Sequence, residues 1–404
     1  MIAGGRRACG LLLGAAAALL ASAAAAQDVF AVAEASEAVR AWSIRRDGLW
    51  VAAQASALLL PAWLLLSGVG ARLTRRVERL TGGRRLLTAA LCAGGYAILF
   101  VLASLPVAAA RQAMAEPFGL GAPDWGSWAE GRASRAWPLV LGGVLLGWAP
   151  YLLFARSPRL WPIWSGLLLT GVLAAALLAQ PSQHDLRPVV DPRLKATIAT
   201  LAHKAGAPGA RVAIREAERG GRCGGASTLG LGPTKVLAID TALLRHHPDE
   251  EVAQVIAHEL GHYARKDDWK ALYVGVAVIV GGLAALSLGA GWAIRRSGGR
   301  FGFHRLANPA SLPLLVLIAL LFALAASAAF HTYGRHLEQE ADRFSLELTR
   351  EGEAQAGLMQ RYLRCSPWAD PDTSRIQRTF RQNHPSFRSR IAVAAEYRSE
   401  PRRP

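Results

Sequence analysis

Cysteine is scarce in this chain. Four in 404 residues, at positions 9, 92, 223 and 365, include no C-x-x-C pair, so the sequence offers neither a thiolate zinc cluster nor a thioredoxin-like redox motif. Cys9 and Cys92 fall inside apolar runs, and Arg7–Ala8 stands where a lipoprotein signal needs small or aliphatic residues. The cysteines read as isolated thiols, a Cys223–Cys365 disulfide being the alternative. Acidic residues are also few, 29 Asp and Glu against 46 Lys and Arg, which leaves a formal charge of +17. Nucleic-acid binders carry such a surplus, yet no helix-turn-helix, aromatic-laced basic groove or zinc-finger spacing accompanies it here. Nucleic acid is therefore not an expected partner. There is no internal repeat.

Apolar residues are abundant, at 52% of the chain with a mean hydropathy of +0.22, more than an ordinary soluble protein carries. Seven apolar runs are long enough to cross ~30 Å of hydrocarbon: 8–26, 49–71, 86–110, 137–155, 160–180, 271–294 and 312–333. The expectation is a polytopic helical membrane protein of six to seven spans. Residues 1–26 pair Arg6 and Arg7 with an Ala/Leu core and "SAAAA" before Gln27. They read as a signal peptide cleaved after Ala26, with a retained first membrane helix as the rival.

The positive charge marks sidedness. Loop 72–85 holds six arginines and one glutamate, 156–159 reads "RSPR", and 295–305 has four arginines and no acid. Loop 111–136 balances three arginines with three acids. Basic short loops stay cytoplasmic, which places 111–136, 181–270 and 334–404 on the opposite, non-cytoplasmic face of the cell membrane. Glycine and tryptophan in the spans (Gly94–Gly95, Gly142–Gly143, Trp148, Trp164) suit close helix packing and interface belts.

The segment 181–270 reads as a small α/β module. Residues 191–207 form a helix opened by Asp191–Pro192, 210–215 and 235–239 form strands, and a glycine-rich stretch lies between them. Residues 248–269, "PDEEVAQVIAHELGHYARKDDW", continue as a helix with three acids in its first turn. On a helix, side chains four apart share a face. His258 and His262 can thus offer two imidazoles to one metal, with Glu259 beside them to hold and deprotonate a water. HExxH also occurs on surface helices that bind nothing, so a third ligand has to be found. "GRHLEQEADRF" (334–344) places Glu338 and Asp342 one turn apart. Glu338 can bind the metal while Asp342 accepts a hydrogen bond from a ligand histidine. His262 and Glu338 are 76 positions apart, with two apolar runs between them, 271–294 and 312–333, and two crossings return the chain to the same membrane face. His331 and His336 are rival ligands, whereas His246 and His247 read as capping or surface groups.

These pieces resemble the membrane zinc endopeptidases that include the type I CaaX prenyl proteases (sterile-24 proteins) and the HtpX and Oma-type quality-control proteases. "STLGLGPTKVLAIDTALL" (227–244) is similar to the family's edge strand and following strand, and HELGH, the membrane hairpin and R-x-x-E-x-x-A-D at Arg335, Glu338, Ala341 and Asp342 follow in order. "NHPSFRSRI" (383–391) is similar to its terminal element. The resemblance implies one Zn²⁺ per chain on His258, His262 and Glu338, Glu259 as the catalytic base, and Asp342 behind the ligands. It also implies a substrate strand added to the edge near 226–230, and substrate or transition-state contacts from Gly230, Arg335, His384 and Arg390. Five apolar runs ahead of HELGH favour the CaaX-type architecture. Two positions depart from the family pattern, Gly225 where Asn is common and Gly334 where Ser is usual.

The expected organisation is a membrane domain over 27–180 followed by a gluzincin-like zinc metalloprotease domain over 181–404. The second is mostly α with a small β-sheet and holds the membrane hairpin as an insertion. Its partners would be the lipid bilayer and peptide or protein substrates, membrane-associated ones among them. The alternatives are a quality-control protease of relaxed specificity and a non-catalytic zinc-binding membrane scaffold.

Overall fold

The structure, a computed structural model, describes residues 29–118, 121–216, 223–366 and 368–398; the expected signal or first span at 1–26 lies outside the described residues. Among the described residues, six helical stretches are long and apolar enough to cross a membrane. The first is α1 (Glu37–Leu66), which ends at Ser67 where Gly68 takes a left-handed φ of 70°. The expected run to residue 71 is therefore cut short, and the chain turns into the short basic helix α2 (Val69–Leu80). Two spans follow, α3 (Arg85–Ala115) and α4 (Trp125–Leu146), the latter extended by α5 (Ala149–Arg156). The next is α6 (Trp161–Ala179). Leu145, Leu167 and Leu168 are 57–63% exposed on these helices, the signature of a surface solvated by lipid rather than water.

Glycine sets how closely α3 and α4 approach. A Cβ on Gly94 would collide with Val144, and one on Gly143 would come within 3.1 Å of the Ala93 backbone, whereas Gly95 and Gly142 face open space. One glycine of each pair makes the close approach and its neighbour does not.

The polar module opens with β1 (Leu186–Pro188) and α7 (Pro192–Lys204), whose N-cap Asp191 accepts from the Arg193 and Leu194 amides. Strands β2 (Val212–Arg215), β3 (Ala226–Leu229) and β4 (Val236–Asp240) complete a sheet of order β1-β2-β4-β3. Its β2–β4 pair is parallel and the other two are antiparallel. α8 (Thr241–His246) leads into α9 (Asp249–Ala264), which carries HELGH. Ile256 and Leu260 of α9 pack with Leu237 and Ile239 of β4, all 0% exposed, in the principal core.

The expected helix through residue 269 breaks instead at Lys266, whose φ of 56° turns the chain into α10 (Asp267–Ala284). That span ends through a π-helical turn in α11 (Ala290–Ser297). The return crossing is one helix of 38 residues, α12 (Leu312–Thr349), unbroken from its apolar start to the Glu338 region. α13 (Gly352–Cys365), α14 (Arg375–Phe380) and α15 (Phe387–Ala395) close the described chain. Cys223 and Cys365 form a disulfide across 142 residues with Cα atoms 6.1 Å apart. The isolated-thiol expectation fails for this pair because the fold brings α13 against the segment leading into β3.

Candidate metal centre

α9 and α12 cross closely because small residues line the contact. Ala257 and Ala341 are 0% exposed, and a Cβ on Gly261 would reach 3.0 Å from the Phe344 ring. This approach brings His258 and His262 of α9 onto Glu338 of α12. The separations are 3.2 Å between the two histidine Nε2 atoms, 3.3 Å from His258 Nε2 to Glu338 Oε2, and 3.6 Å from His262 Nε2 to Glu338 Oε1. Ligands about 2.0–2.1 Å from a tetrahedral metal lie about 3.3 Å from one another, so these spacings suit one ion held between the two imidazoles and the Glu338 carboxylate. Among the described residues, these three alone form a candidate metal cluster. Of the rival ligands, His336 pairs with Glu340 at 3.4 Å on an exposed face, and His331 is outside the cluster.

The site is built to hold positive charge. Burial opposes a charge on His258, but Asp342 and Glu338 outweigh it and hold the imidazole's pKa at about 9. Asp342 Oδ1 lies 3.1 Å from His258 Nδ1, and Glu338 Oε2 makes no hydrogen bond of regular geometry although His258 Nε2 and His384 Nδ1 lie 3.3 and 2.9 Å away. Two imidazoles and a carboxylate with an unsatisfied oxygen are a donor set that suits zinc.

Groups behind the ligands fix their rings. Asp267 Oδ2 is 2.7 Å from His262 Nδ1 and is itself held by Arg265 at 3.1 Å and Lys270 at 2.7 Å. From sequence these charges read only as the collar of a membrane helix. Asp267 follows His262 by five residues across a helix break, so helical periodicity gives no hint of the contact. Arg390 grips Asp342 with two bonds of 2.6 and 2.8 Å, and Gln355 donates to the same carboxylate at 3.2 Å. Arg390 thus faces Asp342, with a side chain only 12% exposed, rather than standing over the open cleft.

Glu259 follows His258 on α9 and meets the sheet edge, where Thr228 of β3 donates to its Oε2 at 3.0 Å. Asp240 N–H donates to the Gly225 carbonyl, and the register pairs Ser227 with Ala238 and Leu229 with Val236. In an antiparallel pair bonding alternates, so the amides and carbonyls of Ala226 and Thr228 point to the free edge. Gly230 closes that edge: its amide donates to Gln180 Oε1 at 3.1 Å, at a left-handed φ of 88° that glycine adopts without strain. Arg335 donates to the carbonyls of Arg378 and Gln382, pinning the segment that delivers His384. A Cβ on Gly334 would come 2.8 Å from Asn383 Cβ, so glycine suits the place where the family commonly has Ser.

His247 is not a surface group. Its side chain is 0% exposed, bonding Glu251 at 2.7 Å through Nδ1 and the Cys223 carbonyl at 3.0 Å through Nε2. Arg361 adds bonds of 2.9 and 3.2 Å to Glu251. This knot ties the first turn of α9 to α13 and to the disulfide.

A histidine pair and a glutamate on two close-packed helices, one of them a continuing membrane span, define a membrane metalloprotease. Residues 188–398 match Peptidase family M48, and the chain belongs to that family. It is 24% identical over 350 residues to the uncharacterized metalloprotease YhfN of Bacillus subtilis (strain 168), covering 84% of this chain and 80% of that protein. Its fold is similar to the crystal structure of S. mikatae Ste24p, with a TM-score of 0.59 and 17% identity over 76% of each chain.

Proposed function

We propose that this protein is a zinc-dependent endopeptidase that cuts exported or membrane-embedded polypeptides at the non-cytoplasmic face of the cell membrane. The observation that carries the reading is the set of three ligand separations, 3.2, 3.3 and 3.6 Å, that match the edges of a tetrahedral metal site. His258, His262 and Glu338 would hold one Zn²⁺. Bound there, the ion would polarise the scissile carbonyl and acidify a water in the open fourth position. The substrate lies extended along β3 and bonds the free amides and carbonyls of Ala226 and Thr228. Glu259, oriented by the Thr228 hydroxyl, takes the proton of the attacking water and returns it to the leaving amide nitrogen. Asp342 and Asp267 hold the two histidines with Nε2 toward the metal. His384 lies beside Glu338 at the exposed rim, where its side chain is 50% exposed and within reach of a developing oxyanion.

Two independent features support the exterior face: the arginine count of the short loops, and a disulfide in the module, since disulfides persist in oxidising compartments. That face argues against prenylated cytoplasmic proteins as substrates. The test is Glu259→Gln in the full chain. The variant should retain one zinc per chain and lose cleavage of membrane proteins, which would then accumulate as trapped complexes. Cleavage at the native rate would remove the mechanism. Faster cleavage of a farnesylated C-terminal peptide than of its unprenylated twin would overturn the substrate assignment.

A further inference from the structure

Away from the metal, two adjoining cavities open between the membrane helices on the same face of the bundle. The smaller, of about 340 Å³, is a slot between α1, α3 and α12 lined mainly by Ala53, Ala57, Phe100, Ala103, Val107 and Leu320, with three polar side chains among them. Arg111 and Arg132 line it too, and they also line the larger cavity of about 740 Å³ together with Arg46, Arg135 and Arg381. Neither lining contains an acidic residue. Two carboxylates nearby are already engaged: Asp47 by Ser374 and Gln377, 3.6 Å from Arg381, and Asp124 by Ser127.

Of the five guanidinium groups gathered over the slot, Arg381 pairs with Asp47 at 3.6 Å, and among the described residues Arg46, Arg111, Arg132 and Arg135 form no ion pair. Arg46 Nε and Arg132 Nε are buried without hydrogen-bond partners, although Arg132 Nη2 reaches Ser104 at 3.0 Å. Burial and the like charges of Arg46 and Arg111 lower the pKa of Arg381 from its ordinary value, against the opposing pull of Asp47. Guanidinium nitrogens withdrawn from water without a partner are costly unless a counter-charge arrives. The slot beneath them lies between membrane spans and is lined mainly by apolar side chains.

We propose that this composite cavity binds an anionic membrane phospholipid, with its phosphodiester on Arg46, Arg111, Arg132, Arg135 and Arg381 and one acyl chain in the α1–α3–α12 slot. The ligand must be amphiphilic, because the arginines alone would serve a free phosphate or an acidic peptide, while the apolar slot serves neither. Guanidinium forks match phosphate oxygens in a way that a zwitterionic headgroup, with its own choline cation, satisfies poorly. The site also touches the catalytic module. Arg381 is three residues before His384, and Ser374 and Gln377 anchor the same segment to α1.

The test uses the full chain purified in detergent and examined by native mass spectrometry against dioleoyl phosphatidylglycerol and dioleoyl phosphatidylcholine. One phosphatidylglycerol should persist under activation that strips phosphatidylcholine. Arg111→Gln with Arg132→Gln should weaken that binding tenfold or more, and Ala103→Phe, which fills the slot, should do the same. Arg75→Gln with Arg76→Gln, in the basic loop of the opposite face, should leave it unchanged. Arg111→Gln alone, at an exposed position, keeps the comparison valid if the double variant does not fold. Equal retention of phosphatidylcholine, native binding in the slot and mouth variants, or displacement of the lipid from the native chain by inorganic phosphate or an acidic peptide would overturn the assignment.

Discussion

Asp267 and Asp268 are neighbours in sequence and should give opposite phenotypes. Asp267 Oδ2 stands 2.7 Å from Nδ1 of the ligand His262, whereas Asp268 Oδ1 stands 2.6 Å from Lys235 Nζ with both side chains under 8% exposed. Asp267→Asn preserves volume and can still meet the imidazole, but it removes the negative charge that raises the ligand's basicity. Losing a partner of this kind weakens metal binding about 10–100-fold, or about 1.4–2.7 kcal/mol. Asp268→Asn leaves Lys235 buried, with only the Tyr263 carbonyl at 2.9 Å and the face of the Tyr263 ring. Breaking a buried pair from one side costs about 3–5 kcal/mol of stability. The assay is paired: zinc affinity by competition with a chelator on folded protein, and thermal unfolding at saturating zinc. Asp267→Asn should lower affinity with a small change in unfolding temperature. Asp268→Asn should lower the unfolding temperature and leave the affinity of the folded fraction near native. If Asp267→Asn binds zinc within threefold of native, or if the two variants behave alike, the division of labour at this corner is wrong.

Three further outcomes follow from the same geometry. Glu251 is buried, which raises its pKa, but His247 and Arg361 outweigh this and hold it below the ordinary carboxylate value; its stabilisation is therefore present above about pH 4.5 and lost as pH falls through the folded value. Glu251→Gln should cost about 2 kcal/mol near neutrality, with a gap from native that narrows in acid, and a gap independent of pH in denaturant titrations would contradict this. Cys223→Ser opens a closure of 142 residues and should cost about 4–5 kcal/mol; thiol labelling of Cys223 and Cys365 in the native chain should require a reductant, and labelling without one would refute the pairing. Gly334→Ala must displace Asn383, whose Cβ would lie 2.8 Å away. It should cost about 1–3 kcal/mol and slow cleavage through His384 while zinc content stays native, and an unchanged rate would detach His384 from the reaction.

The residues of the candidate site were legible wherever helix periodicity or chain crossing governed them. Four-residue spacing put His258 and His262 on one face, and two apolar runs implied that Glu338 returns to the same side. The remaining features depend on backbone breaks and on contacts between distant segments. Lys266 enters a left-handed conformation inside a run of helix-forming character, and that single residue aims Asp267 at His262. The Thr228–Glu259 bond needs a sheet edge laid across a helix, and the His247–Glu251–Arg361 knot joins three segments 110 or more residues apart at its extremes. Cys223 and Cys365 were visible as residues, but their pairing is a property of where α13 docks. Span lengths were read to within a few turns, because hydropathy reports where lipid lies and says little about how far a helix continues beyond it.

That last point bears on how the site works. Hydropathy ends the final span near residue 333, yet α12 runs on without a break through Glu338 and Asp342 to Thr349. A continuous helix transmits displacement along its axis with little loss, since bending it requires breaking or stretching backbone hydrogen bonds. Glu338, one of the proposed ligands, is thus fixed to the membrane bundle, and the two histidines are fixed to a helix packed on the polar core. The edge strand is held from both sides: Gly230 is bonded to Gln180 just after α6, and Gly232 to Asp268 at the start of α10. Any movement of the spans relative to the polar module must change the Glu338–histidine separations or the height of β3 above Glu259. The bilayer helices therefore set the geometry of the site as well as its location.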